Sequence, residues 1–302
     1  MHIPALPSGS LIGVIAPAGP VPAARLAQVE GLYAQFGYRA RLFPGCHHDT
    51  GYLAGDDAAR LADLHAALAD DEVAAVHCVR GGYGSMRLLP DIDLALLRRS
   101  RKLLIGYSDI TALHALWFHE GLPSLHAPMP ASDLLLPGGE ADRDALFAAL
   151  QRGWAAGDVL LPLPDTAPGL FHPGQAEGPL IGGNLSLVAA LLGTPWAWPA
   201  QGGILFLEDV NEEPFRVDRL LTQLKLSGVL DAVAGIVLGS FSEAAAPDAV
   251  LRQTLLPLGK PLLSNWPSGH GTPNRPLPLG LAARLTVSTT GSGRIELLAS
   301  AK

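Results

Sequence analysis

The chain has 302 residues, of which 48% are hydrophobic and 16% charged, with a formal net charge of −7. That composition excludes a disordered chain, and without any dense Lys/Arg block it argues against binding to a nucleic-acid backbone, which needs clustered cations. The length leads us to expect two domains of roughly 130 to 170 residues each.

Cys46 and Cys78 are the only cysteines. Two are too few for a disulfide framework, they lack CxxC-type metal spacing, and they suit a reducing cytosol. The N-terminal MHIPALPSGSLIGVIAPAGP has neither the basic start nor the apolar region of a secretory signal. No run approaches the roughly 18 to 20 apolar residues that cross a bilayer. A soluble, cytoplasmic protein is expected, without membrane or nucleic-acid partners.

In chain order, the strand-like LIGVIAPA is followed by the helix-like VPAARLAQVEGLYAQFG, then YRARLF, DDAARLADLHAALAD, VAAVHCV, KLLIGYS and DITALHALWFHEG. Strand and helix in alternation predict an α/β domain with a parallel sheet covered by helices on both faces. Ligands then bind outside the carboxyl ends of the strands. Residues 153–177 are rich in Pro and Gly without periodicity and read as a linker between an N-terminal domain over 1–152 and a C-terminal one over 178–302. The second half continues with PLIGGNLSLVAALLGTPW, GGILFLEDV, the amphipathic PFRVDRLLTQLKLSG, and AGIVLGSF. It ends in ARLTVSTTGSGRIELLA, which predicts a hairpin and a mixed sheet in a smaller, β-rich domain.

Ser108, in GYSD, stands where an apolar run gives way to a helical pattern. This is the context of a nucleophile elbow, which pushes a hydroxyl outward and aims the next backbone N–H, that of Asp109, at a developing oxyanion. The second glycine of G-x-S-x-G is absent. A plain helix N-cap explains a Ser or Asp there equally in kind.

The RGGYG loop at Arg80–Gly84 lacks a following GK[ST] and is not G-x-G-x-x-G, so it is no nucleotide motif. It reads either as a tight turn or as a source of an oxyanion donor from Gly81 or Gly82. Glu208 and Asp209 end the apolar run GGILFLED, and His270 lies in the Gly/Pro-rich loop SGHGTPN. Cys46, His47, His48 and Asp49 invite a metal reading, but adjacent residues of an extended segment point to opposite faces and no complementary ligand pair stands out. A polar loop without metal is expected.

Taken together, these motifs resemble the LD-carboxypeptidase family, serine peptidases that include muramoyl-tetrapeptide carboxypeptidase and the microcin C immunity peptidase. The resemblance rests on GYLAGDDAARLADLHAAL leading into RGGYGSMRLLPDID, and on IGYSDITALHAL, HAPM, GGNLSLVAALLGTPW, ILFLEDVNEEPFRVDRLLTQL and SGHGTPNRPLPLG. It implies Ser108 as nucleophile, His270 as base and Glu208 as the acid that orients it. The oxyanion hole would be built from the Asp109 N–H and an amide of Gly81 or Gly82.

The implied fold is a flavodoxin- or amidotransferase-like N-terminal domain with a smaller β-rich C-terminal one, and the active site would lie where the two meet. The implied reaction releases D-Ala from a cytoplasmic muropeptide tetrapeptide by a homodimer that needs no cofactor. Arg80 and Arg216 are the candidate cations for the substrate carboxylate. The alternatives are a microcin-type amidase acting on an aminoacyl-nucleotide analogue and a non-catalytic muropeptide-binding protein. One departure is Ala127 in HAPM, where a glycine is expected.

Overall fold

The computed structural model describes residues 1–163 and 168–299. They divide into two compact units. The first to be described spans Ile3–Gly153 with Arg275–Leu277, and the second comprises Met1–His2, Trp154–Asn274 and the chain from Pro278 onward.

The Ile3–Gly153 unit alternates strands and helices: β1 (Leu11–Ile15), α1 (Ala23–Gln35), β2 (Arg39–Leu42), α2 (Asp57–Ala69), β3 (Val73–Cys78), α3 (Leu94–Ser100), β4 (Leu103–Gly106), α4 (Thr111–His119), β5 (Ser124–His126) and α5 (Glu140–Arg152). The first five strands stand in the order 2-1-3-4-5 and pair in parallel. This is the flavodoxin-like arrangement, with its switch point between β1 and β3. β1 and β4 are buried at every position, because helices cover both faces of a parallel sheet. Helix starts follow local chemistry: Asp56 accepts the Ala59 N–H and Asp93 the Leu96 N–H, so each satisfies an orphan donor. Phe147 of α5 stacks on Phe36 at 4.1 Å between ring centroids and meets Tyr33 edge-on at 5.5 Å, which locks α5 against α1.

The second unit contains β6 (Val159–Leu160), β7 (Phe171–His172), β8 (Gly174–Asn184), α6 (Leu185–Ala190), β9 (Ile204–Val210), α7 (Pro214–Leu226), α8 (Val229–Ala232), β10 (Gly235–Ser242), α9 (Asp248–Leu255) and β11 (Leu262–Leu263). A short β12 (Leu277–Leu279) follows, its first residue grouped with the first unit, and then β13 (Ala282–Val287) and β14 (Gly293–Leu297). Its eight-stranded sheet runs β6-β14-β13-β8-β9-β10-β11-β7 and is mixed, with β8 to β11 parallel and the outer strands antiparallel. β13 and β14 form the expected hairpin.

The Pro/Gly-rich stretch read as a linker is not structureless. It carries β6, β7 and the first residues of β8, and it clusters with the second unit from Trp154 onward. Strands of two residues leave no periodic trace in a sequence. Residues 164–167 of that stretch lie outside the described residues.

Candidate active site

Ser108 sits at the carboxyl end of β4 and holds φ at +64°. A non-glycine residue in the left-handed region costs on the order of 1–3 kcal/mol and persists only where the surroundings impose it. Here they do. Gly106 (φ +158°) leaves little room for a side chain, since a Cβ would lie 3.1 and 3.2 Å from the γ carbons of Ile110 and 3.3 Å from the Cys78 Cβ. The Gly106 carbonyl accepts both the Ala127 N–H at 3.1 Å and the His114 Nε2–H at 2.8 Å. Tyr107 anchors the turn from the other side, its hydroxyl donating to Asp133 at 2.7 Å. A 3-10 turn over Ser108–Ile110 then leads directly into α4. The elbow therefore exists without its second glycine. Ala127, buried and outside the positive-φ region, is accommodated where a glycine was expected.

The RGGYG loop follows β3 and lies against this elbow. A Cβ on Gly81 would stand 2.9 Å from the Ser108 Cβ, 3.0 Å from its Oγ and 3.4 Å from the Asp109 nitrogen. Only glycine fits at that approach. The loop is pinned to the segment after β1 by the Gly19 N–H, which donates to the Gly81 carbonyl at 3.1 Å. Gly82 adopts φ +120° and is exposed.

Asp109 is fully engaged beneath the turn: its carboxylate accepts the Ser85 N–H at 2.8 Å, and its carbonyl accepts the Ser85 hydroxyl at 2.5 Å. Burial raises its pKa above the ordinary carboxyl value against the pull of those donors. Arg80 is half-buried on the same loop and donates to the Pro20 carbonyl at 3.0 Å.

In the second unit, Glu208 lies near the carboxyl end of β9, fully buried, and the His270 Nδ1–H donates to its Oε2 at 2.6 Å. The His270 backbone N–H reaches the same oxygen at 3.2 Å. Gly269 (φ +108°) makes this possible, because a Cβ there would fall 2.7–2.8 Å from the Glu208 side chain. The loop is fixed further by the buried Asn274, whose Oδ1 accepts the Gly269 N–H at 3.0 Å, and by Ser242, whose hydroxyl donates to the His270 carbonyl at 3.0 Å. An imidazole held through Nδ1–H keeps Nε2 as the basic nitrogen.

Asp209, one residue later, faces the other side of the strand. It takes the Asn184 amide at 2.8 Å and the Ser186 N–H and hydroxyl at 3.0 and 2.8 Å, tying down the start of α6.

The predicted site residues thus fall into two clusters: Ser108, Asp109, Gly81, Gly82 and Arg80 in one unit, Glu208 and His270 in the other. Arg216, in the first turn of α7, is exposed, 3.8 Å from Glu212 and 5.9 Å from the Phe215 ring centroid. Ser85, Asp133, Gly269 and Asn274 were not singled out from the sequence. Gly269 and Asn274 flank the histidine in SGHGTPN, and their spacing was the available signal.

Three other histidines are buried near the elbow. His77 receives the Tyr33 hydroxyl at Nδ1 (2.6 Å) and donates from Nε2 to Pro128 (3.0 Å), while His114 receives Ser124 at Nδ1 (2.8 Å) and donates to Gly106. Burial lowers both to a pKa of about 3, so they are poor bases at neutral pH. His126 packs edge-on to Tyr107 at 5.5 Å. Cys46 is buried with its thiol pushed up to about 12 and donating to the Val14 carbonyl, which accounts for it as a core residue. Among the described residues no group of three or more His, Cys, Asp or Glu is arranged to hold a metal ion, and no helix is long and apolar enough to cross a membrane.

Comparison with known proteins bears on the family and the fold. The model of the LD-carboxypeptidase N-terminal domain matches residues 12–127, and that of the LD-carboxypeptidase C-terminal domain matches residues 177–285. A probable murein peptide carboxypeptidase of Bacillus subtilis (strain 168) is 37% identical over 297 residues, covering 94% of this chain and 91% of that protein. The crystal structure of muramoyltetrapeptide carboxypeptidase from Oxalobacter formigenes superposes with a TM-score of 0.84 at 32% identity, covering 97% of this chain and all of that one. A microcin C7 self-immunity protein, solved with aspartyl sulfamoyl adenosine, shares the fold with a TM-score of 0.87 over 98% of both chains, at 23% identity. The chain belongs to the LD-carboxypeptidase family.

Proposed function

We propose that this chain is a serine LD-carboxypeptidase that releases the C-terminal D-Ala from a muropeptide tetrapeptide, with Ser108, His270 and Glu208 as its triad. The observation that carries the reading is Ser108 held at φ +64° against the Gly81 backbone. A surface helix cap has no need of such strain. The names of the relatives, a murein peptide carboxypeptidase and a muramoyltetrapeptide carboxypeptidase, support the substrate class.

In this mechanism His270 Nε2 takes the Ser108 proton as Oγ attacks the carbonyl that precedes D-Ala, since a bare hydroxyl is a poor nucleophile at neutral pH. Glu208, already bonded to Nδ1–H, stabilises the imidazolium that forms. The Asp109 N–H and an amide of the Gly81–Gly82 pair receive the oxyanion. His270 then protonates the leaving amine. D-Ala departs, water attacks the ester on Ser108 with His270 again as base, and the tripeptide leaves. No step requires a cofactor. Arg80, on the loop beside the nucleophile, and Arg216 are the cations we assign to the substrate's free carboxylate. The same reading places the protein, as a homodimer, in the cytoplasm, where wall peptides are recycled.

The rival, a microcin-type amidase acting on an aminoacyl-nucleotide analogue, is supported by likeness of fold alone. One competition assay decides between them: tetrapeptide and an aminoacyl sulfamoyl adenosine are offered to one preparation, and free D-Ala and the freed amino acid are read by mass spectrometry. D-Ala release is expected. A preference for the nucleotide analogue above about tenfold in kcat/KM, equal to about 1.4 kcal/mol of transition-state binding, overturns the assignment. Binding without turnover of either compound identifies a non-catalytic muropeptide receptor.

A further inference from the structure

The RGGYG loop carries a feature that the proposed chemistry does not use. Tyr83, two residues beyond Gly81, is 54% exposed, and its ring lies 5.8 Å from that of Tyr52, which is 64% exposed. Tyrosines of this size normally bury most of their surface, and an exposed aromatic pair is a feature of binding surfaces.

The rings stand in water, yet the backbone beneath them is fixed. Leu53, next to Tyr52, is buried and packs onto Gly84, where a Cβ would fall 2.5 Å from the Leu53 Cδ2 and 2.6 Å from an Arg60 nitrogen. The Ala54 N–H donates to Ala18 at 2.9 Å, and the Thr50 N–H to Leu53 at 3.0 Å. The pair is therefore a prearranged aromatic surface made of two rings tilted 58° to each other, which lowers the ordering cost of binding. Arg87, bonded through Nε and Nη2 to Asp57 at 2.9 and 2.7 Å, adds polar groups on the same unit.

We propose that Tyr52 and Tyr83 form a sugar-binding platform that takes the muramoyl ring of the substrate. This rests on the muropeptide reading above. A pyranose with equatorial substituents presents faces of axial C–H groups that pack on an aromatic ring, while its hydroxyls and acetamido group need polar neighbours. The reach is sufficient. Three stem residues between the scissile bond and the sugar can extend to about 10–11 Å, and farther where one is joined through its side-chain carboxyl, and the Tyr83 Cα lies within about 7.6 Å of the Gly81 Cα. The platform makes the glycan-bearing peptide a better substrate than the free peptide.

The test compares kcat/KM on N-acetylmuramoyl-tetrapeptide and free tetrapeptide for the wild type, Tyr52→Ala and Tyr52→Phe. Tyr52→Ala is expected to lose about tenfold on the sugar-bearing substrate, through KM, with the free tetrapeptide unchanged and Tyr52→Phe close to wild type. Equal losses on both substrates, or none, overturn the platform. So does a Tyr52→Ala variant that changes sedimentation but keeps the substrate ratio, since the rings then serve self-association. A calorimetric titration of both compounds into Ser108→Ala, with and without Tyr52→Ala, reads the platform without turnover. If the wild type cleaves neither compound, the functional reading fails, while the titration still decides whether the rings hold the sugar.

Discussion

The Glu208 Oε2 accepts two hydrogen bonds from one residue, the Nδ1–H of His270 at 2.6 Å and its backbone N–H at 3.2 Å, so a single buried oxygen fixes both the ring and the chain that carries it. Glu208→Gln keeps the volume but can offer an N–H where Nδ1–H must donate. Where that N–H meets Nδ1 the wrong tautomer results, with Nε2 no longer basic, and in either orientation the charge that stabilises the imidazolium is gone. In a serine triad, loss of nucleophile or base costs on the order of 10⁶ in kcat and loss of the orienting acid on the order of 10⁴. Steady-state assays should therefore rank Ser108→Ala and His270→Ala as equally damaging, Glu208→Gln as less so, and a Ser108→Ala/His270→Ala double variant no worse than either single one. Near-normal kcat in His270→Ala would remove the histidine from the mechanism.

Gly81→Ala tests the approach of the loop to the nucleophile. The new methyl would stand 2.9 Å from the Ser108 Cβ and 3.0 Å from its Oγ, so loop and elbow must part. Gly81 has no positive φ, so the substitution carries no intrinsic backbone strain. We expect kcat to fall at least about a hundredfold, the scale of losing one oxyanion donor, while circular dichroism stays unchanged. Full activity would show that the loop is not part of the site.

Much of this was legible in the sequence because the Ile3–Gly153 unit obeys local rules. Its apolar runs are the β1, β3 and β4 strands, and the helical stretches that alternate with the strands are α1, α2 and α4. Ser108 and His270 were legible as motif residues. Their conformations were not. The φ of Ser108 is imposed by groups distant in sequence, including Cys78, Gly81 and Ala127, and no local pattern encodes such contacts. For the same reason Glu208 and Asp209 looked equivalent at the end of one apolar run, although a strand sends adjacent side chains to opposite faces. The short strands β6 and β7 were missed because two residues cannot display a period.

Those adjacent acids should separate cleanly on mutation. Asp209→Ala strands the Asn184 amide and the Ser186 N–H in a buried site and unties the start of α6. Unsatisfied buried donors of this kind cost about 2–4 kcal/mol in total, which chemical denaturation would read as a lower midpoint with unchanged slope. The folded fraction should retain kcat. Glu208→Gln should do the reverse, with the larger loss in kcat. If Asp209→Ala instead abolished turnover without destabilising the protein, the assignment of roles to the two carboxyls would have to be exchanged.

Two histidines outside the triad make the protein's stability sensitive to acid. His77 and His114 titrate at about 3 in the folded protein, while the unfolded value is about 6.5. Between those limits the unfolded state binds a proton at each site and the native state does not, so stability is complete above about pH 6.5 and falls as the pH drops. Two such groups give a slope of at most about 2.7 kcal/mol per pH unit. The raised carboxyls of Asp63, Asp109 and Asp209 act in the opposite sense, protonating first in the folded state, and offset part of the loss toward the acid end. Urea titrations from pH 7 to pH 5 should show stability falling with acid. His114→Asn, whatever its effect at pH 7, should flatten that slope by up to about half, because it removes one of the two protons. A slope that His114→Asn leaves untouched would place the acid sensitivity elsewhere.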